Sequence, residues 1–224
     1  MSKQTALRRA VLAGMLLFDL YIAWTVFYSP LDDWQWSMDV GLWWLVTGVL
    51  NGRYMGNLFA VIMSRSPLLK TLIMGLCMFA LPYFVARLAA RGRRERILPL
   101  FVACNAGILL MPSVMWRETY FWVAGFGNFV VPTVFFLLLL LDKTRTHLGR
   151  WSILLFFYLL FLGLFLENFT ALFAGACFLM VLLSLRDRPF LVPSLAMLAG
   201  SLLAAFFMFS NGIFVDLAET GEAV

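Results

Sequence analysis

The sequence predicts an all-α protein, a polytopic transmembrane helix bundle of about seven spans with its N-terminus in the cytoplasm. Three observations predict it. First, 63% of the residues are hydrophobic and 13% are charged, with mean hydropathy +0.91, against roughly 45 to 50% apolar and about 25% charged in soluble domains. Second, several stretches run for about 15 to 20 residues without a charge, long enough as helix to cross a hydrocarbon core of ~30 Å. Those runs are too continuous for the alternating pattern of a barrel, and in lipid the backbone must satisfy its own hydrogen bonds, so the spans are helices. Third, the basic residues fall in clusters between the apolar runs, as cytoplasmic loops require.

The spans are placed at 10 to 28, 67 to 86, 97 to 113, 127 to 141, 151 to 166, 170 to 185 and 190 to 209. With the N-terminus inside, all of the 17 Lys and Arg fall in cytoplasmic segments except Arg53, Arg65, Lys70 and Arg117. Eight of the 12 acids fall on the opposite side: Asp32, Asp33, Asp39, Glu118, Glu167, Asp216, Glu219 and Glu222. The net charge of +5 would suit nucleic acid, but topology accounts for the clusters, so the partner expected is membrane lipid and no nucleic acid. Lys3, Arg8 and Arg9 precede a long apolar stretch with no convincing cleavage site, which reads as an uncleaved signal anchor.

Residues 29–66 then form an outer loop. Within it Val40 to Leu50 is apolar enough to lie in the interface as a short helix, with Trp43 and Trp44 at the right depth. Gly56 to Ser64 is too short to span and reads as a second interfacial or re-entrant helix before Pro67 opens the next span. Residues 210–224 form an acidic outer tail, and one membrane domain, 1–224, accounts for the chain. Cys77, Cys104 and Cys177 lie apart within apolar runs and suggest neither disulfide nor zinc. His147, the single histidine, sits in a basic loop and makes a poor metal site.

The polar residues of the outer segments carry the chemistry. Asp32 and Asp33 stand side by side, and desolvation or a like charge raises a carboxylate's pKa toward that of a base able to take a hydroxyl proton; such acids also cap helices. Asn51-Gly52-Arg53-Tyr54 sets an arginine beside a glycine, suited to a phosphate or to snorkelling toward lipid headgroups. Trp116-Arg117-Glu118 to Trp122 adds an arginine, an acid and rings that would suit a sugar face, although an interfacial aromatic belt is the ordinary reason for tryptophan there. Glu167-Asn168 occupies a tight hairpin tip, where a carboxylate close to hydrocarbon needs a partner; Asn168-Phe169-Thr170 fits the glycosylation sequon but lies too near the membrane to serve. Asp19 falls inside the first span, to be protonated or paired within the bundle, with Asn105 and Asn128 as available partners.

Asp32-Asp33-Trp34, Asn51-Gly52-Arg53-Tyr54, the Trp116 to Trp122 loop with Gly125 and Asn128, and Glu167-Asn168 together resemble bacterial polytopic glycosyltransferases of the C class, close to those that modify surface polysaccharides and lipid-linked glycans. The resemblance covers residues 7 to 212. It implies an enzyme of the bacterial inner membrane that moves a sugar from a polyprenyl-phosphate donor to a glycan or lipid acceptor on the non-cytoplasmic face. It puts the catalytic base on Asp32 or Asp33 and the donor phosphate on Arg53 and Arg117. Acceptor and sugar contacts fall to Trp34, Asn51, Trp116, Glu118, Trp122, Asn128, Glu167 and Asn168. Some members use a divalent cation, and adjacent Asp32 and Asp33 are where Mg²⁺ or Mn²⁺ would sit. The chain is shorter than is usual for the class, which reads as a minimal enzyme, a truncated relative or one subunit paired with another membrane protein. Two other readings remain open: a flippase or transporter component for lipid-linked sugars, and a non-catalytic subunit of a cell-envelope glycan assembly complex.

Overall fold

The structure, a computed structural model, describes residues 3–29, 32–141, 148–186 and 188–211. The basic turn with Lys143, Arg145 and His147, and the acidic residues Asp216, Glu219 and Glu222, lie outside the described residues. Among the described residues all regular structure is helical. In chain order the helices are α1 (Lys3–Thr25), α2 (Asp32–Ser37), α3 (Asp39–Thr47), α4 (Tyr54–Arg65), α5 (Pro67–Ala89), α6 (Ile97–Leu109), α7 (Ser113–Thr119), α8 (Val123–Leu141), α9 (Leu148–Gly163), α10 (Glu167–Ser184) and α11 (Arg188–Phe209); a 3₁₀ turn, Arg94–Arg96, precedes α6.

Four of these, α5, α8, α10 and α11, are long and apolar enough to cross a membrane. A fifth crossing follows if α6 and α7 are one broken span. Each of the seven expected spans coincides with a helix. However, α1 carries Arg8, Arg9 and Asp19, and α9 is 16 residues long. The expected third span, 97 to 113, does not run straight: α6 stops at Leu109, and α7 leaves it at 100°. Pro112 is the reason. It lacks an N–H, and its ring drives the preceding Met111 out of the helical region. Residues 29–66 hold three short helices rather than two, α2 being additional to those expected around Val40 to Leu50 and Gly56 to Ser64.

Helix starts follow local chemistry where the sequence provides it. At α5, Ser66 is extended, its side chain accepts from the Leu69 N–H, and Pro67 occupies the first turn, where a missing N–H costs nothing. At α10 the acid Glu167 occupies the first turn, where the helix dipole favours negative charge.

The described residues fall into two compact units. The first comprises Met1–Met38 and Ala60–Leu141. In it α5 packs on α1, α6 and α8, and α2 and α7 lie against α8. Gly75 permits the α1 contact, since a Cβ there would lie 2.9 Å from the Leu20 Cα. The second unit comprises Asp39–Phe59 and Asp142–Val224. There α11 packs on both α9 and α10. These contacts are made by close packing of small residues and by interhelical hydrogen bonds. Gly163 and Ala204 meet on the α9–α11 side, and the Ser184 and Ser194 hydroxyls bond at 2.9 Å between α10 and α11. A Cβ on Gly200 would stand 2.2 Å from the Phe156 carbonyl oxygen, which is backbone and cannot yield cheaply. Gly200→Leu is therefore expected to cost about 1–3 kcal/mol of overpacking, read as a lower thermal midpoint of the detergent-extracted chain. An unchanged midpoint would show that this helix pair can separate freely.

Candidate functional site

Two polar clusters stand out, one in each unit. The first is built where α2 meets the start of α8. Asp33 is fully buried, and its carboxylate accepts three backbone N–H groups: Ser29 at 2.7 Å, Ala124 at 2.8 Å and Val123 at 3.3 Å. The last two open α8, whose first-turn N–H groups have no partner within the helix. Asp33 therefore caps α8 from 90 residues away. Burial pushes its pKa above the ordinary carboxyl value, while the three N–H donors pull against that rise and the neighbouring Asp32 adds to it.

Asp32, half-buried, faces the other way. Its Oδ1 accepts the Trp36 indole N–H at 3.0 Å and its Oδ2 accepts that of Trp122 at 2.9 Å. Gly125 makes room for the Trp122 ring, since a Cβ there would lie 2.3 Å from the indole Cε3. Beneath this pair Lys70 is 3% exposed; its ammonium donates to the Val26 carbonyl and lies 4.9 Å from the Tyr28 ring centre. The Tyr28 hydroxyl donates to the Met63 carbonyl.

The second cluster surrounds Arg53. Asn51 accepts at Oδ1 from the Arg53 backbone N–H (3.0 Å) and from the Asn57 amide (2.9 Å), fixing the turn into α4. Gly52 is required there because a Cβ would meet the Met208 backbone oxygen of α11 at 2.4 Å. The Met55 N–H donates to the Leu164 carbonyl, and Phe59 lies against Phe165 with ring centres 5.6 Å apart, so the turn is held on the α9–α10 hairpin tip. Thr170 closes that tip by donating to Gly163 and Leu166. Glu167, at the tip, then receives the Arg53 Nε at 2.8 and 3.0 Å on its two oxygens. Arg53 and Glu167 side chains are 34% and 20% exposed. Because Glu167 takes only Nε, the two Nη groups of Arg53 keep their donors for another anion.

No known family model, curated protein or solved structure matches this chain.

The unit containing Asp32, Asp33 and Trp122 brings those three together, and the unit containing Arg53 brings it together with Asn51 and Glu167. The other expected site residues are placed differently. Trp34 is exposed on α2, and Asn168 is exposed beside Glu167. Arg117 and Glu118 bond each other at 3.0 Å with side chains 74% and 56% exposed, a surface pair worth at most about 1 kcal/mol. Trp116 donates its indole N–H to the Ile108 carbonyl and lies tilted against the Tyr120 and Phe121 rings, so it fastens α7 to the end of α6. Asn128 is buried and its amide donates to Ala124 of its own helix.

The aspartate pair does not fit a divalent cation. Both carboxylates point their oxygens at N–H donors, and among the described residues no three of His, Cys, Asp and Glu gather as ligands. Reading the sequence alone missed Lys70, Trp36 and Asn57. Lys70 did carry a signal: it is a lone cation in an otherwise apolar first half of α5, which in lipid calls for a buried partner.

Proposed function

We propose that this chain is a glycosyltransferase of the bacterial inner membrane that takes a sugar from a polyprenyl-phosphate donor and transfers it to a glycan or lipid acceptor. The observation that carries the reading is Arg53, aimed by Glu167 through Nε while its Nη donors remain unspent, which is how a guanidinium is held for a phosphate. In the reaction an acceptor hydroxyl oxygen bonds to the anomeric carbon as the bond from that carbon to the lipid phosphate breaks. The phosphate leaves with the bonding electrons, and its charge is taken up by Arg53. The hydroxyl proton goes to a carboxylate; the resemblance to the class puts that role on Asp32 or Asp33, and of the two Asp32 is the candidate because Asp33 is sealed by backbone donors while each Asp32 oxygen keeps a lone pair.

In this reading α1, α5, α6 with α7, α8, α9, α10 and α11 are seven spans, and α2, α3 and α4 lie on the non-cytoplasmic side, with a partner membrane subunit completing the assembly. The test is transfer of radiolabelled sugar from a panel of polyprenyl-phosphate donors into membranes carrying the wild-type chain or Asp32→Asn at matched expression. Transfer by wild type and its loss in Asp32→Asn is the expected result. Equal transfer by both would remove Asp32 as the base.

The 100° break between α6 and α7, with Asp19 nearby, favours a second reading, a transporter or flippase component for lipid-linked sugars, because broken helices beside buried acids are how transporters bind their cargo and ions. Donor-independent movement of labelled lipid-linked sugar across vesicles would separate it from transfer.

A further inference from the structure

Asp19 takes no part in either cluster, and its surroundings are unusual. It sits in the last third of α1, is 6% exposed, and its Oδ2 has no hydrogen-bond partner among the described residues. That oxygen belongs to a residue lining a cavity of about 20 Å³, which also touches Met78, Asn105, Ile108, Leu109, Trp116 and Tyr120. A cavity needs roughly 10–15 Å³ to hold one water, so this one has space for a single water or a small bare ion.

The lining explains what that occupant must be. Among the described residues no Lys or Arg lines the cavity, and Tyr120 is the one titratable side chain there besides Asp19. On α5, the helix packed against α1, Lys70 spends its ammonium on the Val26 carbonyl and the Tyr28 ring, and Cys77 is not part of the lining; on α6, Cys104 is likewise outside it. Asn105 uses its amide nitrogen on the Phe101 carbonyl, which leaves its side-chain oxygen as the end that can face a ligand. Ile108 and Leu109 end α6 at the break, and the Ile108 carbonyl there is already taken by the Met111 N–H and the Trp116 indole, so the Trp116 donor is not available to Asp19. A carboxylate with an unpartnered oxygen and an amide residue thus share one small space, with no cation among the described lining residues to balance the carboxylate. An isolated charge in such a place is prohibitively costly, so the carboxylate must hold a positive charge of its own.

We propose that the Asp19 cavity is a binding site for a small monovalent cation, the proton or Na⁺, built at the α6–α7 break. The site stands on the first unit alone and does not depend on the glycosyl-transfer reading. Its ligand is exchangeable: the cavity lies at the discontinuity where α6 ends, and among the described residues no side chain satisfies Oδ2 in its place.

The test uses the full chain in detergent micelles and a hydrophobic carbodiimide, which modifies protonated carboxyls in apolar surroundings, with the adduct located by peptide mass spectrometry. In medium free of Na⁺, label is expected on Asp19 and is lost in Asp19→Asn. Label that falls as the pH is raised from about 5 to about 9 and ignores Na⁺ identifies the proton as the ligand. Label suppressed by Na⁺ but not by K⁺ identifies Na⁺. Absence of label on Asp19 throughout that range without Na⁺ would overturn the proposal. So would label that responds to neither pH nor Na⁺, since a permanently neutral acid exchanges nothing. Asn105→Leu, which removes the amide oxygen while keeping an apolar volume, is expected to weaken Na⁺ protection or shift the pH dependence of labelling without altering the label on other carboxyls.

Discussion

Replacing Arg53 by alanine is expected to lower sugar transfer by about 10²- to 10³-fold, the usual cost of removing one preorganised group that stabilises a developing negative charge. The whole arrangement around it aims the guanidinium: Asn51 fixes its backbone, Gly52 lets the turn lie against Met208, and Glu167 orients the side chain through Nε. Arg53→Lys keeps the charge but cannot both bond Glu167 and offer a planar pair of donors to phosphate, so most of the loss is expected to remain. Glu167→Gln leaves the guanidinium present but less firmly directed and is expected to cost less than Arg53→Ala. Initial rates of label transfer at saturating and limiting donor, in membranes matched for expression, check the series. Full activity in Arg53→Ala would end the phosphate assignment, whereas the same loss in a variant that also fails to accumulate would be a folding effect.

The second large effect is on stability. Asp33→Ala leaves the N–H groups of Ser29, Val123 and Ala124 without an acceptor at a fully buried position. At about 1–3 kcal/mol for each unsatisfied buried donor, partly relieved by water entering the space, the loss is on the order of 3 kcal/mol. Asp33→Asn fills the space but turns one oxygen into a donor facing a donor, and it should fall between wild type and alanine. The pH dependence has a definite sign. Because the folded-state pKa of Asp33 is raised, chiefly by burial, the folded chain binds its proton more readily than the unfolded chain does. The stability linked to that proton is complete below the ordinary carboxyl value of about 3.9 and is lost as pH rises through the higher folded value. Thermal midpoints of detergent-solubilised wild type should decline across that window, and those of Asp33→Asn should be flatter. Equal midpoints for wild type and Asp33→Ala would show that the cap of α8 is dispensable.

The helical segments were legible from the chain because lipid leaves an apolar run no other way to satisfy its backbone. Their ends were less so. The first helix begins at Lys3 rather than residue 10, since Arg8 and Arg9 are good helix formers that extend it beyond the apolar run. The break at Pro112 was readable in principle, as proline ends helices wherever its missing N–H matters, but the surrounding hydrophobicity concealed it. At the candidate sites, residue type was informative and partnership was not. Asp32 and Asp33 look equivalent as neighbours, yet one faces two indoles and the other faces the backbone that opens α8, because successive helical positions point about 100° apart. Arg53 and Glu167 each drew notice alone, but nothing local announces a pairing across 114 positions. Such contacts arise from how helices pack, and a single chain read in order contains no record of that.

The seating of Gly52 against Met208 also has a bearing on the order of synthesis. The ribosome adds Glu167 well over a hundred residues after Arg53, and Met208 later still, so at about 5–20 residues per second the Arg53 turn waits on the order of ten seconds or more for its support. During that interval the first unit can close around α5 and α8, whose residues are already made, while the Arg53 turn has neither its glutamate nor the backbone it rests on. The guanidinium is therefore put in place late, and a chain interrupted before α10 would present an arginine that is present but not aimed.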